Sequence, residues 1–107
     1  MSFTGEEDHS ISLEDAAELT ARYRQTAGTG AILGGYFSKE AVKAIIEQDN
    51  CVGIRYYYGR AADGKPKLVM VGVLANEDDI ADGQLAEFGA DCPPNCGKNN
   101  ELNSQKM

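Results

Sequence analysis

Apolar side chains recur along this chain in two rhythms. Leu13, Ala16, Ala17, Thr20, Tyr23 and Ala27 return at helical spacing and predict a helix over about 13–27. Ser12 stands before it as an N-cap, with Asp15 at the third helical position, and Ile11 is placed to staple onto the first turn. Glu18 and Arg22 form an i,i+4 pair in the favourable order, and Gly28 stops the helix. A second helix begins after Ser38, where Phe37 and Val42 repeat the staple geometry. Its buried stripe is Ala41, Val42, Ile45 and Ile46, and Asp49-Asn50 ends it.

Beyond residue 50 the period shortens to two. "CVGIRYYYG" and "KLVMVGVLA" carry β-branched and aromatic residues on either side of a turn signal, as a hairpin does. A two-residue turn at Asp63-Gly64 would set Tyr58 opposite Val69, Tyr56 opposite Val71 and Ile54 opposite Val73. That register gathers Val52, Ile54, Tyr56, Tyr58, Val69, Val71 and Val73 on one face to receive the helices. It leaves Arg55, Tyr57, Met70 and Leu74 on the other as a candidate interaction face. Two strands are marginal by themselves, so a third is expected from "GAILGGYF", from "GQLAEFG" or from a second subunit. The expected fold is α+β, with two N-terminal helices packed on an antiparallel sheet built around a 51–58/67–75 hairpin. Residues 1–10 read as a flexible acidic lead-in, 11–97 as a single domain and 98–107 as a flexible tail.

Charge removes several function classes. Seventeen acidic against ten basic residues give 107 residues a net charge of −7, and Lys and Arg are scattered singly. Such a surface repels phosphate backbones and anionic lipid, so neither nucleic acid nor membrane is an expected partner. The opening "MSFTGEEDHS" has no basic and apolar regions like those of a secretory leader. The apolar run "LVMVGVLA" is far short of the ~20 residues a membrane helix needs. Three cysteines, an odd number, argue against a complete disulfide framework. A cytoplasmic location with reduced thiols is the expectation.

Candidate chemistry is sparse. "GTGAILGG" lacks the preceding strand and the G-x-G-x-x-G spacing of a dinucleotide loop, and Tyr36 stands where a phosphate loop would need Lys-Ser/Thr. In "DDIADGQLAEFG" a calcium loop would require ligands at Ile80 and Gly89, which have none to offer. His9 has no Ser, Cys or Asp at a motif spacing. No catalytic residue and no cofactor is expected. "CPPNC" is the remaining motif. Cys92 and Cys96 are spaced C-x-x-x-C rather than C-x-x-C, and the prolines bias them away from a helix start. They are the only metal candidates, since Cys51 and His9 stand at scattered positions. Reduced structural thiols, a disulfide and a metal site are the three readings of that pair, the first being the expected one.

Taken together, "CVGIRYYYG", "DGKPKLVMVGV" and "EFGADCPPNCG" resemble a group of small uncharacterised bacterial proteins over roughly residues 36–97, C-P-P-x-C being the most distinctive element. The resemblance implies a stand-alone bacterial domain and supplies no catalytic residues. The expected function is a non-enzymatic interaction or ligand-binding module that forms a homodimer, its ligand unidentified. The alternative is a thiol-dependent redox or metal-binding activity at Cys92 and Cys96.

Overall fold

Ser12 and Ser38, the two predicted caps, both cap. In a computed structural model describing residues 2–104, the Ser12 hydroxyl accepts from the Asp15 N–H at 3.0 Å and opens α1, Leu13–Ala27. The Ser38 hydroxyl accepts from the Ala41 N–H at 3.1 Å and opens α2, Lys39–Ile46. Each cap satisfies one of the N–H groups that a helix start leaves unpaired. Five strands complete the described residues: β1 Gly34–Tyr36, β2 Cys51–Arg60, β3 Pro66–Leu74, β4 Leu85–Glu87 and β5 Ala90–Cys92. All pairings are antiparallel, and the fold is α+β.

These elements divide between two compact units. One joins the lead-in up to Glu7 to Phe37–Gly89 and contains α2 and the sheet β2-β3-β4. The other joins Asp8–Tyr36 to the stretch from Ala90 and contains α1 and the ribbon β1-β5. The expectation of two helices on one sheet is thereby corrected, because α2 shares a unit with the hairpin and α1 belongs to the second. The reason lies in "GAILGGYF", which pairs with β5 in a ribbon of its own, Gly34 opposite Cys92 and Tyr36 opposite Ala90. The third strand beside the hairpin comes from "GQLAEFG", with Met70 opposite Ala86.

In the sheet-bearing unit Ile45 is the most deeply buried side chain, followed by Val73, Val71 and Phe88. Burying an isoleucine or valine contributes roughly 1.5–3 kcal/mol. Phe37 packs edge-on against Phe88, their centroids 6.2 Å apart. The lead-in takes part through the Phe3 N–H, which donates to the Ala75 carbonyl at 2.8 Å. In the second unit the buried helix positions are Ala17 and Ala21, while Leu13 and Tyr23 of the predicted stripe are about half exposed. Residues 98–104 of the expected flexible tail form a side-chain-capped turn there, in which Asn100 Oδ1 accepts from the Leu102 N–H at 2.7 Å, and residues 105–107 lie outside the described residues. Arg24 donates to the Leu102 carbonyl at 2.7 Å.

The hairpin register differs from the expected one by a single residue. Tyr58 faces Leu68, Tyr56 faces Met70 and Ile54 faces Gly72. Its loop holds three residues rather than two. Ala61 N–H bonds to the Lys65 carbonyl, Gly64 N–H closes a turn onto the Ala61 carbonyl, and Gly64 alone takes a positive φ, 90°. A three-residue loop with glycine in the left-handed position is the next commonest hairpin after the two-residue form. One residue of slip reverses which face each side chain joins. Val69, Val71 and Val73 therefore share a face with Tyr57, Arg55 and Gly53, while Ile54, Tyr56 and Tyr58 join Gly72, Met70 and Leu68. A bulge between Cys51 and Gly53 ends the regular ladder.

A glycine at 72 is what this register requires. A Cβ there would stand 2.8 Å from Gln48 Nε2, 3.0 Å from Cys51 Sγ and 3.2 Å from Ile80 Cδ1. Gln48 cannot step aside freely, because its Nε2 donates to the Ile45 carbonyl at 2.8 Å. Gly72→Ala should cost roughly 1–3 kcal/mol by overpacking. Gly53→Ala, where nothing lies within 4 Å of an added Cβ, should stay within about 0.5 kcal/mol of the parent or stabilise it. Urea denaturation of both variants checks the pair; equal midpoints would contradict the observed register.

Candidate functional site

β2 is the long edge strand of the three-stranded sheet. Its partner is β3 on one side, and no strand of the described residues pairs with its other side. The ladder fixes which backbone groups that open edge presents. Gly72 turns its carbonyl away from β2 to accept the Ile80 N–H at 2.8 Å. Its β2 opposite, Ile54, is therefore in a non-hydrogen-bonded pair and points its own N–H and C=O outward. Alternation gives Tyr56 and Tyr58 the same outward orientation. The side chains along this edge are aromatic and exposed: Tyr56 at 55%, Tyr57 at 49% and Tyr58 at 83%. Tyr56 and Tyr58 meet edge to face at 5.7 Å on one side of the strand. The Tyr56 phenol holds that of Tyr58 above the usual tyrosine range.

The other side of the strand carries a hydrogen-bonded cluster. Arg55 Nη1 donates to Asp79 Oδ1 at 2.5 Å and to the Glu77 carbonyl at 3.0 Å. Tyr57 donates its hydroxyl to the second Asp79 oxygen at 2.5 Å. The Phe3 ring lies over the arginine, 5.9 Å from guanidinium carbon to centroid, a cation–π contact. Asp79 is brought here by the sharp reversal after β3, in which Glu77 N–H bonds to the Leu74 carbonyl and Asp79 bridges Val73. An Asx turn sets that reversal, Asn76 Oδ1 accepting from the Asp78 N–H at 3.0 Å. The hydroxyl of Tyr57 holds the Asp79 carboxyl below the usual carboxylate range, and Arg55 acts in the same direction. Asp79 in turn raises both the Arg55 guanidinium and the Tyr57 phenol above their ordinary values.

The four residues expected on one interaction face are split by the register. Arg55 and Tyr57 stay together beside Asp79, whereas Met70 and Leu74 alternate onto the opposite face with Tyr56. Asp79 itself was legible only as part of an acidic turn, since nothing local in "NEDDI" separates it from Asp78. Tyr56 and Tyr58 belonged to the predicted covered face and are exposed instead.

In the second unit Cys92 and Cys96 are joined in a disulfide, their Cα atoms 4.8 Å apart, which corrects the expectation of reduced thiols. The chain reverses there because the Asn95 N–H bonds to the Asp91 carbonyl at 2.8 Å, bringing the two sulfurs round to each other. A disulfide sulfur is not a thiolate, the form that ligates a metal. Among the described residues no group of three or more His, Cys, Asp or Glu is placed to hold a metal ion. Cys51 is a free thiol whose Sγ lies 3.2 Å from the Gly53 carbonyl. No helix of the described residues is long and apolar enough to cross a membrane.

The cluster gives stability a pH dependence of definite sign. The folded Asp79 carboxyl titrates below its unfolded value, so its contribution is fully present above the ordinary carboxylate range and is lost as pH falls through the folded value. The Tyr57 shift is upward, so its contribution holds below the ordinary tyrosine range and is lost as pH rises through the raised value. Asp79→Asn should flatten the acid limb of a Tm-against-pH curve; an unchanged acid limb would take that role from Asp79.

Comparison with protein-family models, with curated proteins and with solved structures yields no match for the chain.

Proposed function

We propose that this chain is a non-enzymatic interaction domain that self-associates through the tyrosine-rich edge of β2. The observation that carries the reading is the coincidence, on one strand, of an unpaired backbone edge and three exposed tyrosines. Aromatic residues are enriched in the cores of protein interfaces, where they bury large area at low entropic cost. An edge strand left bare is a template for another strand.

The polar cluster beside it supports a binding rather than a catalytic role. Both Asp79 oxygens and the Tyr57 hydroxyl are already committed to internal hydrogen bonds. Their shifts run in opposite directions, carboxyl down and phenol up, which moves both groups away from proton transfer near neutrality. Arg55, paired with Asp79, serves to hold the strand in shape.

A second reading, thiol–disulfide exchange, is favoured by the Cys92–Cys96 bridge, whose Cys96 end is exposed. In the cytoplasm expected for this chain, the glutathione pool acts on such an accessible bond, whereas an oxidising compartment keeps it closed. Equilibration against glutathione buffers separates the readings. A potential near the cytosolic poise supports exchange; one well below it leaves a structural bridge.

Sedimentation equilibrium across micromolar concentrations tests the leading reading. The mass should rise with concentration from the 11.5 kDa of one chain towards twice that value. A constant single-chain mass over the whole range would remove self-association.

A further inference from the structure

We infer that the partner of the β2 edge is the β2 edge of a second copy, paired antiparallel about a two-fold axis through Tyr56. This deepens the self-association reading and rests on it. The first ground is the backbone. Ile54, Tyr56 and Tyr58 all present N–H and C=O outward, as derived from the Gly72–Ile80 hydrogen bond and the β2-β3 register. In an antiparallel ladder such residues form hydrogen-bonded pairs with their like. Tyr56 then exchanges both its bonds with Tyr56 of the other copy, and Ile54 exchanges both with Tyr58.

The second ground is charge. The chain carries −7, yet between Cys51 and Gly59 the single ionised side chain is Arg55, and Asp79 neutralises it. Edge strands that avoid pairing carry lysine, proline or inward charges, or are very short. β4, at the opposite edge, is short and carries Glu87, whereas β2 runs for ten residues with its bulge confined to Cys51–Gly53 and the one charge of 51–59, Arg55, answered by Asp79.

The third ground selects the register. An axis through Arg55 would set two arginines face to face, a like-charge pair that destabilises a sheet. An axis through Tyr57 would put Ile54 opposite Arg60. The Tyr56 axis keeps the arginines apart, each opposite a tyrosine. It also gathers Ile54, Tyr56 and Tyr58 of both copies on one face, continuing the aromatic contact already made between Tyr56 and Tyr58. The lead-in borders β2 at Val52, where a Cβ on Gly5 would meet the Val52 carbonyl, and touches 54–58 through the Phe3 ring over the Arg55 guanidinium, on the opposite side of the strand from Ile54, Tyr56 and Tyr58.

Two measurements test this on the full chain. Amide hydrogen exchange followed by NMR at low and high protein concentration should show the Ile54, Tyr56 and Tyr58 amides slowing as concentration rises, while Arg55 and Tyr57, already in the β2-β3 ladder, change little. In sedimentation equilibrium Tyr56→Lys, which places two ammonium groups at the axis, should weaken the dimer roughly tenfold or more. Tyr23→Lys, at an exposed tyrosine of α1, should leave the dimer as in the parent. A dimer that survives Tyr56→Lys, with the three outward amides exchanging freely at every concentration, overturns edge pairing while self-association stands. A parent chain that stays monomeric overturns both.

Discussion

The side-chain amide of Gln48 ties the sheet-bearing unit together, and its demands explain the arrangement around it. Its Nε2 donates to the Ile45 carbonyl, an acceptor at the end of α2 that the Gln48 backbone N–H reaches only at 3.5 Å. Its Oε1 accepts from the Gln84 N–H at 2.8 Å, at the entry to β4. One amide thus joins the end of a helix to the beginning of the third strand. The half-buried group sits where backbone is bare: a Cβ at Gly72 or at Gly83 would run into it. A side chain at either glycine would displace the amide from both hydrogen bonds, so the two glycines and the amide act as one constraint.

That constraint propagates into the hairpin. With Gly72 turned towards Gln48, its two neighbours, Val71 and Val73, must turn to the opposite face, where both are buried. Arg55 and Tyr57 follow them across the ladder and meet Asp79 there. Ile54, Tyr56 and Tyr58 go with Gly72, and their backbone groups point off the sheet. The exposed tyrosine edge thus follows from the side-chain parity that Gly72 sets on the neighbouring strand.

Local signals made part of this legible in the sequence. Ser12, Ser38 and Gly28 act on the chain within a few residues of themselves, and both helix starts and the end of α1 follow from them, whereas α2 stops at Ile46, short of the expected Asp49-Asn50. The strands were legible for the same reason, from β-branched and aromatic runs around a turn. The register was not, because it depends on whether the loop holds two residues or three, and "ADGK" serves either. Collecting the valines on the tyrosine face gives the fullest apolar pattern, but it leaves Gly72 without a reason, and a glycine inside a strand signals close approach by another group. The division into two units was also hidden, since Gly34–Tyr36 finds its partner at Ala90–Cys92, far along the chain. Asp79 could be singled out only once the register had put Arg55 and Tyr57 on the same face.

Charge and edge geometry then set the strength of association to expect. Copies carrying −7 repel one another at long range, and at physiological salt that repulsion is screened beyond roughly 8 Å. Close approach is favoured where the local surface is neutral, and on β2 it is, because Asp79 answers Arg55 within the same chain. The proposed ladder over 54–58 would contribute backbone hydrogen bonds and tyrosine burial over a small area, at the low end of interface sizes, where complexes are transient. The tyrosines also spend little entropy on becoming ordered, since Tyr57 is already held by Asp79 and Tyr56 already leans on Tyr58. In the proposed pairing, a pre-shaped strand that is neutral over 54–58 on an acidic chain would give a contact selective for its own kind and readily reversed.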